Sequence, residues 1–227
     1  LAPRNIQIGI SGGEPTLYKE ALFNFLLEIS HIRPDVKFHI LSNAQHFSER
    51  DTQSLEQLKN NILWGIPMYS HNYVEHDKIV CKEGAYHNLL TGINILLKSG
   101  SKIELRTVIL QQNYKSLSGL ADFISRHIPD IDIWAIMQLE RIGFAKMNWD
   151  HIFYDSSIDF GFIENALSIA NQNNVKFGLY NFPLCTVTPK WRDFSFKTIS
   201  DWKNKYLTVC DHCSLKNDCG GFFEWYN

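Results

Sequence analysis

The chain has 227 residues, with 22 Lys+Arg against 24 Asp+Glu, a formal charge of -2, 44% hydrophobic and 20% charged residues. This balance excludes intrinsic disorder and gives no basic surplus that would make nucleic acid the main partner. No apolar run reaches the roughly 18 residues a membrane span needs, and the opening LAPRNIQIG is not a signal peptide, so a cytoplasmic setting is expected.

In chain order, residues 5–11 (NIQIGIS) alternate Ile6, Ile8 and Ile10 and stop at Gly12-Gly13, which reads as a strand. Leu22, Phe25, Leu26 and Ile29 form a helical stripe that must end before Pro34. Residues 36–43 read as a second strand, and Ser48 to Asp51 as a capping box opening a short helix. A third strand is expected over 61–70, and then a loop over 70–87 flanked by His71, His76 and His87, all expected in surface or satisfied polar roles. Tyr86, Leu89, Leu90, Ile93, Leu96 and Leu97 make a strong helical stripe ending at Gly100. A strand over 101–110, a helix over 115–127 before Pro129, a strand over 131–140 and a helix over 158–172 complete the series. Five strands separated by helices imply an α/β fold with a parallel sheet or barrel. From about residue 175 the rhythm gives way to an aromatic, Pro-containing tail. The expected division is a body at 1–173 and a small cysteine-rich extension at 174–227.

Strand parity puts Ile6/Ile8/Ile10, Phe38/Ile40, Ile103/Leu105/Ile109 and Ile131/Ile133/Ala135/Met137 on the helix-facing side. Gln7, Ser11, His39, Asn43, Glu104, Arg106, Gln138 and Glu140 then face the other way. A closed barrel fills its interior with branched apolar side chains. So polar a face points to an open or wide barrel with a solvated ligand cavity, unless the parity of one or two strands is misread.

Residues 10–17 (ISGGEPTL) sit at the C-terminal end of the first strand, where α/β folds place ligands. Gly12 and Gly13 permit positive φ and close backbone approach, Glu14 adds an anionic acceptor, and Pro15 fixes the chain before Thr16. A carboxylate there suits an ammonium and would repel phosphate, which counts against a phosphate-binding TIM-barrel enzyme. The nine histidines form no HExxH or His-x-His pair, so a hydrolytic zinc site is not expected.

There are five cysteines, and Cys210, Cys213 and Cys219 fall within the last eighteen residues. An odd count, no secretory signal and a tight cluster argue for a metal site over a disulfide framework. With Cys185 they supply four thiolates, suited to zinc or to an iron–sulfur cluster, and spacing does not separate the two. Cys81 reads as a bystander thiol. The aromatic tail is either a peptide-binding wall or a shield buried against the body.

Gly12-Gly13-Glu14-Pro15 after a hydrophobic strand resembles the signature of radical S-adenosylmethionine (SAM) enzymes, and LSNA (41–44) resembles that family's second-strand TNG stretch. The resemblance implies a partial (β/α)6 TIM-type barrel in which Gly12, Gly13, Glu14 and Pro15 receive the SAM amino group. Ser42 and Asn43 would lie near its ribose or methionine. Arg106 is then a candidate partner for the SAM carboxylate, with an ion pair to Glu104 or Glu140 as the alternative. Glu140 is the candidate catalytic acid contacting substrate or SAM, with a structural ion pair as its alternative. The family's Cys-x3-Cys-x2-Cys loop, which holds the SAM-cleaving [4Fe–4S] cluster, precedes the Gly-Gly-Glu-Pro strand, but no cysteine here precedes Cys81. The expectation is a barrel lacking its first βα unit, and a chain that as given does not cleave SAM. The Cys-x2-Cys-x5-Cys tail resembles the auxiliary-cluster extension of peptide-modifying members, with Phe223 where a further cysteine would stand. LYNFPLC (179–185), CDHCSLKNDCGGFFEW (210–225), GIPMYS (65–70) and ELRTVILQQN (104–113) resemble the HxsC-type maturases of His-Xaa-Ser systems. That family implies a ribosomally made peptide substrate and a companion radical SAM protein. From a different class, the same residues would suit a catalytically silent peptide-binding module with a structural four-cysteine zinc site.

Overall fold

A computed structural model describes residues 6–226. Leu1, on which the sequence opens, and Asn5, the first residue of the expected opening strand, lie outside the described residues. The fold is α/β, and its parallel strands follow chain order from β1 to β7, as in a partial TIM-type barrel. The chain divides into two compact units. The first holds the residues up to Met68 with Asn72–Arg106 and Asp130–Asp132, and the second holds Tyr69–His71, Thr107–Pro129 and the chain from Ile133 onward.

In the first unit, β1 (Gln7–Ile10), β2 (Lys37–Leu41), β3 (Ile62–Pro67) and the part of β4 (Lys102–Val108) up to Arg106 pair in parallel, with Ile10 opposite Ile40, Ile40 opposite Trp64, and Trp64 opposite Ile103. Phe38, Ile40, Trp64, Ile66, Ile103 and Leu105 are buried. Against them lie the apolar stripes of α1 (Lys19–Ile32) with Phe23 and Leu26, α2 (Thr52–Leu58) with Leu55 and Leu58, and α4 (Ala85–Lys98) with Leu89, Ile93 and Leu96. Side chains that alternate along a strand and recur every three or four positions along a helix can share one dry layer only this way. The expected capping box forms: Ser48 N–H donates to Asp51 Oδ2 at 2.7 Å. The expected 70–87 loop instead contains a further helix, α3 (Tyr73–Val80). Asn72 caps it by accepting from the Val74 and Glu75 amides, and Cys81 ends it in a left-handed turn at φ 54°. His76, on that helix, is buried, with its ring edge-on to Tyr86.

In the second unit, β5 (Ile133–Met137), β6 (Phe177–Tyr180) and β7 (Ser195–Phe196) pair in parallel, so two strands of the sheet lie within the 174–227 range. Helix α5 (Leu117–His127) packs on α8 (Gly161–Gln172) through Leu120, Ala121 and Ile124 on one side and Ile163, Ala166 and Leu167 on the other. Between β5 and α8 run two short helices, α6 (Gly143–Met147) and α7 (Trp149–Ile152). The parity expected for β5 is reversed. Trp134 and Ile136 are fully buried, Ile133 and Met137 are partly exposed, and the Trp134 indole N–H donates to Thr107 Oγ1 at 2.9 Å. Gln138 therefore falls on the covered side, where its amide donates to the Tyr154 carbonyl and accepts from Ser156. The chain ends in a small antiparallel pair, β8 (Asn204–Lys205) with β9 (Phe222–Phe223). No helix among the described residues is long and apolar enough to cross a membrane.

Candidate functional site

The turn after β1 is built by torsion. Gly12 and Gly13 have φ of 91° and 55°, and a Cβ placed on either would meet nothing within 4 Å. Their glycine identity answers to the left-handed backbone and not to crowding. That turn delivers Glu14 as the cap of a 3-10 turn, Pro15–Tyr18, with Pro15 at its first position. Glu14 Oε1 accepts from the Thr16 amide at 3.0 Å, the Thr16 hydroxyl at 2.5 Å and the Ser42 hydroxyl at 2.7 Å, while Oε2 accepts from the Asn43 amide at 2.7 Å. Partial burial alone would raise the Glu14 pKa. The donors from Asn43, Thr16 and Ser42 outweigh it and hold the carboxyl below its ordinary range, so it stays ionised. The loop after β2 is fixed in turn by its own side chains: Ser42 Oγ accepts from the Ala44 amide and Asn43 Oδ1 from the Gln45 amide.

Next to Glu14 opens a cavity of about 280 Å³. Of the residues singled out from the sequence, Gly13, Glu14, Ser42, Asn43 and Arg106 line it. Leu41, Gly65 and Pro67 line it too, and sequence reasoning had them only within the stretches LSNA and GIPMYS, with no role of their own. Gly65 shapes the floor: a Cβ there would stand 2.5 Å from Leu41 Cδ2, 3.0 Å from His39 Nε2 and 3.2 Å from Arg106 Cδ. A glycine inside a strand is the signal that could have found it, since such glycines mark close approach. Arg106 makes the ion pair given as the alternative to its SAM role, with Glu104, Nη1 to Oε1 at 2.7 Å, and His39 Nε2 lies 3.6 Å from the same oxygen. Burial pushes the Glu104 pKa up, but His39 and Arg106 together pull it below the ordinary carboxylate value. A guanidinium carries five N–H donors, so Arg106 can hold Glu104 and still reach a ligand's carboxylate. An anionic acceptor and a cationic donor lining one cavity fit the ammonium and carboxylate of an α-amino acid, such as the methionine end of SAM.

Glu140 lies beyond the end of β5 and is held by Lys203, whose Nζ is 2.9 Å from both carboxylate oxygens. Lys203 also sits over the rings of Trp202 and Phe223. Cys81 is exposed, and it is the one cysteine among the described residues of the first unit. The other four belong to the second unit. Cys219 is buried, and its Sγ accepts from the Leu184 and Gly221 amides at 3.3 Å each. Burial raises the Cys185 pKa, and Cys219, Cys210 and Cys213 add to the rise through space. Among the described residues, no three His, Cys, Asp or Glu side chains are gathered as a set of metal ligands.

No family model matches the chain, and no curated protein matches it in sequence. Solved structures do. A domain of pyruvate-formate lyase-activating enzyme from Bacteroides vulgatus ATCC 8482 superposes with a TM-score of 0.57 at 13% identity, over 76% of this chain and 97% of that one. Streptococcus suis SuiB gives 0.61 at 19%, over 76% of this chain and 39% of its own, and its structures include complexes with S-adenosylmethionine and with the precursor peptide SuiA. The enzyme anSMEcpe, with bound AdoMet and a Cp18Cys peptide, gives 0.61 at 16%, over 78% of this chain and 51% of its own. These neighbours are radical SAM enzymes, and the chain shares their fold. It spans about two fifths to half the length of the two larger ones.

Proposed function

We propose that this chain is the SAM-binding part of a radical SAM peptide maturase, and more narrowly one of the HxsC type that modifies a ribosomally made peptide rich in His-Xaa-Ser repeats beside a companion radical SAM protein, in the cytoplasm. The observation that carries the reading is Glu14. Its carboxylate is kept ionised by donors from two loops and borders a cavity that Arg106 also lines. In this reading the backbone of Gly12, Gly13 and Pro15 and the Glu14 carboxylate receive the SAM ammonium, Arg106 receives its carboxylate, and Ser42 and Asn43 border the methionine and ribose. When cleaved, SAM supplies a 5′-deoxyadenosyl radical that takes a hydrogen atom from a peptide. The residues of this chain bind and orient it. Peptide complexes of SuiB and anSMEcpe support a peptide substrate. A catalytic [4Fe–4S] cluster does not fit the described residues of the first unit, whose one cysteine is exposed at a helix end. The chain as given is proposed to bind SAM without cleaving it.

The Cys219 sulfur accepts from two backbone amides, those of Leu184 and Gly221, an environment suited to a ligating sulfur. This supports a metal at Cys185, Cys210, Cys213 and Cys219, either an auxiliary [4Fe–4S] cluster or zinc. Zinc together with an empty Glu14 cavity would make the chain a peptide-binding module. Calorimetric titration with SAM separates the readings. The chain is expected to bind SAM, and Glu14→Gln to weaken binding at least about tenfold, because hydrogen bonds to charged groups contribute about 1.5–3 kcal/mol. Absence of SAM binding by the unaltered chain defeats the maturase reading.

A further inference from the structure

Helix α4 carries Gly92 on its buried face. An alanine normally suits a helix interior better than a glycine. Here a Cβ on residue 92 would stand 1.8 Å from the Ala44 carbonyl oxygen, 2.8 Å from its carbonyl carbon and 3.1 Å from its Cβ. The obstructing atoms are backbone, and Ala44 is fully buried, so no flexible side-chain end can swing away. Ala44 itself holds a left-handed φ of 57° without being glycine. Such a conformation persists only where the surroundings impose it. Its amide is pinned by Ser42 Oγ at 3.0 Å, and the residue before it, Asn43, directs its own amide onto Glu14 Oε2 at 2.7 Å. Thus the seat that α4 leaves for one carbonyl group fixes the backbone that orients a donor onto the carboxylate.

We propose that Gly92 is a positioning residue for the Glu14 site. By admitting the Ala44 carbonyl against α4, it holds the Ser42–Ala44 backbone in the turn that keeps the Asn43 amide and the Ser42 hydroxyl on Glu14. Gly92 does not line the cavity and acts wholly through Ala44. A side chain at 92 displaces that carbonyl, withdraws the Asn43 donor, and lets the Glu14 pKa rise toward its ordinary value. Where the consequence concerns SAM, the inference rests on the function proposed above; where it concerns Glu14 ionisation, it does not.

The test uses the full chain as Gly92→Ala, and as Gly92→Ala combined with Ala44→Gly, which frees the loop to pass the new methyl group. Carbon-detected NMR follows the Glu14 carboxyl through a pH titration, and calorimetry follows SAM. Gly92→Ala is expected to raise the Glu14 titration midpoint and to weaken SAM binding at least about tenfold, with both restored at least in part by the second substitution. A role confined to helix packing would lower the melting temperature and leave the Glu14 midpoint where it was, and that result overturns the proposal. If Gly92→Ala alone does not fold, the double variant decides: a folded double variant with a displaced Asn43 amide resonance and an unchanged Glu14 midpoint overturns it equally. Failure of the unaltered chain to bind SAM, with the midpoint shifting as expected, defeats the functional reading and leaves this coupling standing.

Discussion

Glu14 and Glu104 are both held ionised, by different means. Glu14 relies on amide and hydroxyl donors, and Glu104, nearly buried, on Arg106 with His39 close by. Both folded-state pKa values lie below the unfolded value of about 4.3. Their stabilisation is therefore present above that pH and is lost as pH falls through the depressed values. Urea midpoints measured between pH 6 and 3 are expected to fall below about pH 4.3, at no more than about 1.4 kcal/mol per pH unit for each carboxyl, and by less for half-exposed Glu14. Glu104→Gln is expected to make that acid limb shallower; an unchanged limb would show that Glu104 is not depressed. At this scale the sequence was most legible where chemistry is encoded in order along the chain. Gly-Gly-Glu-Pro states a torsion, a charge and a cap in consecutive positions. Gly65 and Gly92 were not legible, because what each glycine makes room for lies on another element: the side chains of His39, Leu41 and Arg106 for Gly65, and the backbone of Ala44 for Gly92.

Elements were legible in proportion to the length of their periodic pattern. The fourteen residues of α4 carry a complete apolar stripe and end where Gly100 predicts. β5 misleads because its core is WAI, three consecutive buried residues, which gives no alternation from which to choose a face. Ile131, Ile133 and Met137 then suggest the wrong one. The deciding contact is the Trp134 indole on Thr107, a partner 27 positions away. Trp134→Phe removes the donor together with part of a fully buried ring system, so it is expected to cost at least about 1–3 kcal/mol in urea denaturation. A cost near zero would mean the hydrogen bond contributes nothing net and would reopen the assignment of this face. Helix α3 escaped notice for a similar reason: eight residues with little apolar periodicity are held mainly by the Asn72 cap and by packing on α4.

At the scale of the whole molecule, the α/β class followed from the alternation of strands and helices, since parallel pairing requires a crossover between neighbours. β6 and β7 were not visible among the aromatics because FGLY and SF are too short to show a period. The second unit holds four of the five cysteines, and the metal reading belongs to it as a unit. Anaerobic reconstitution with iron and sulfide is expected to give one [4Fe–4S] cluster per chain, absent in Cys213→Ala. Retained zinc without visible-range absorbance would favour the structural site instead. Loss of all metal on desalting would sink both assignments.

The antiparallel pair β8–β9 has a consequence for the metal proposed at those thiols. Lys205 and Phe222 are backbone partners, and Cys210, Cys213 and Cys219 all lie on the stretch between them. The Tyr206 hydroxyl closes the same loop again, donating to the Cys219 carbonyl at 2.8 Å. The entropy of drawing the ends of this loop together is thus supplied by protein–protein hydrogen bonds. A ligand arriving at the sulfurs has to order only the span inside the clasp. Its apparent affinity reports preorganisation as much as bond strength.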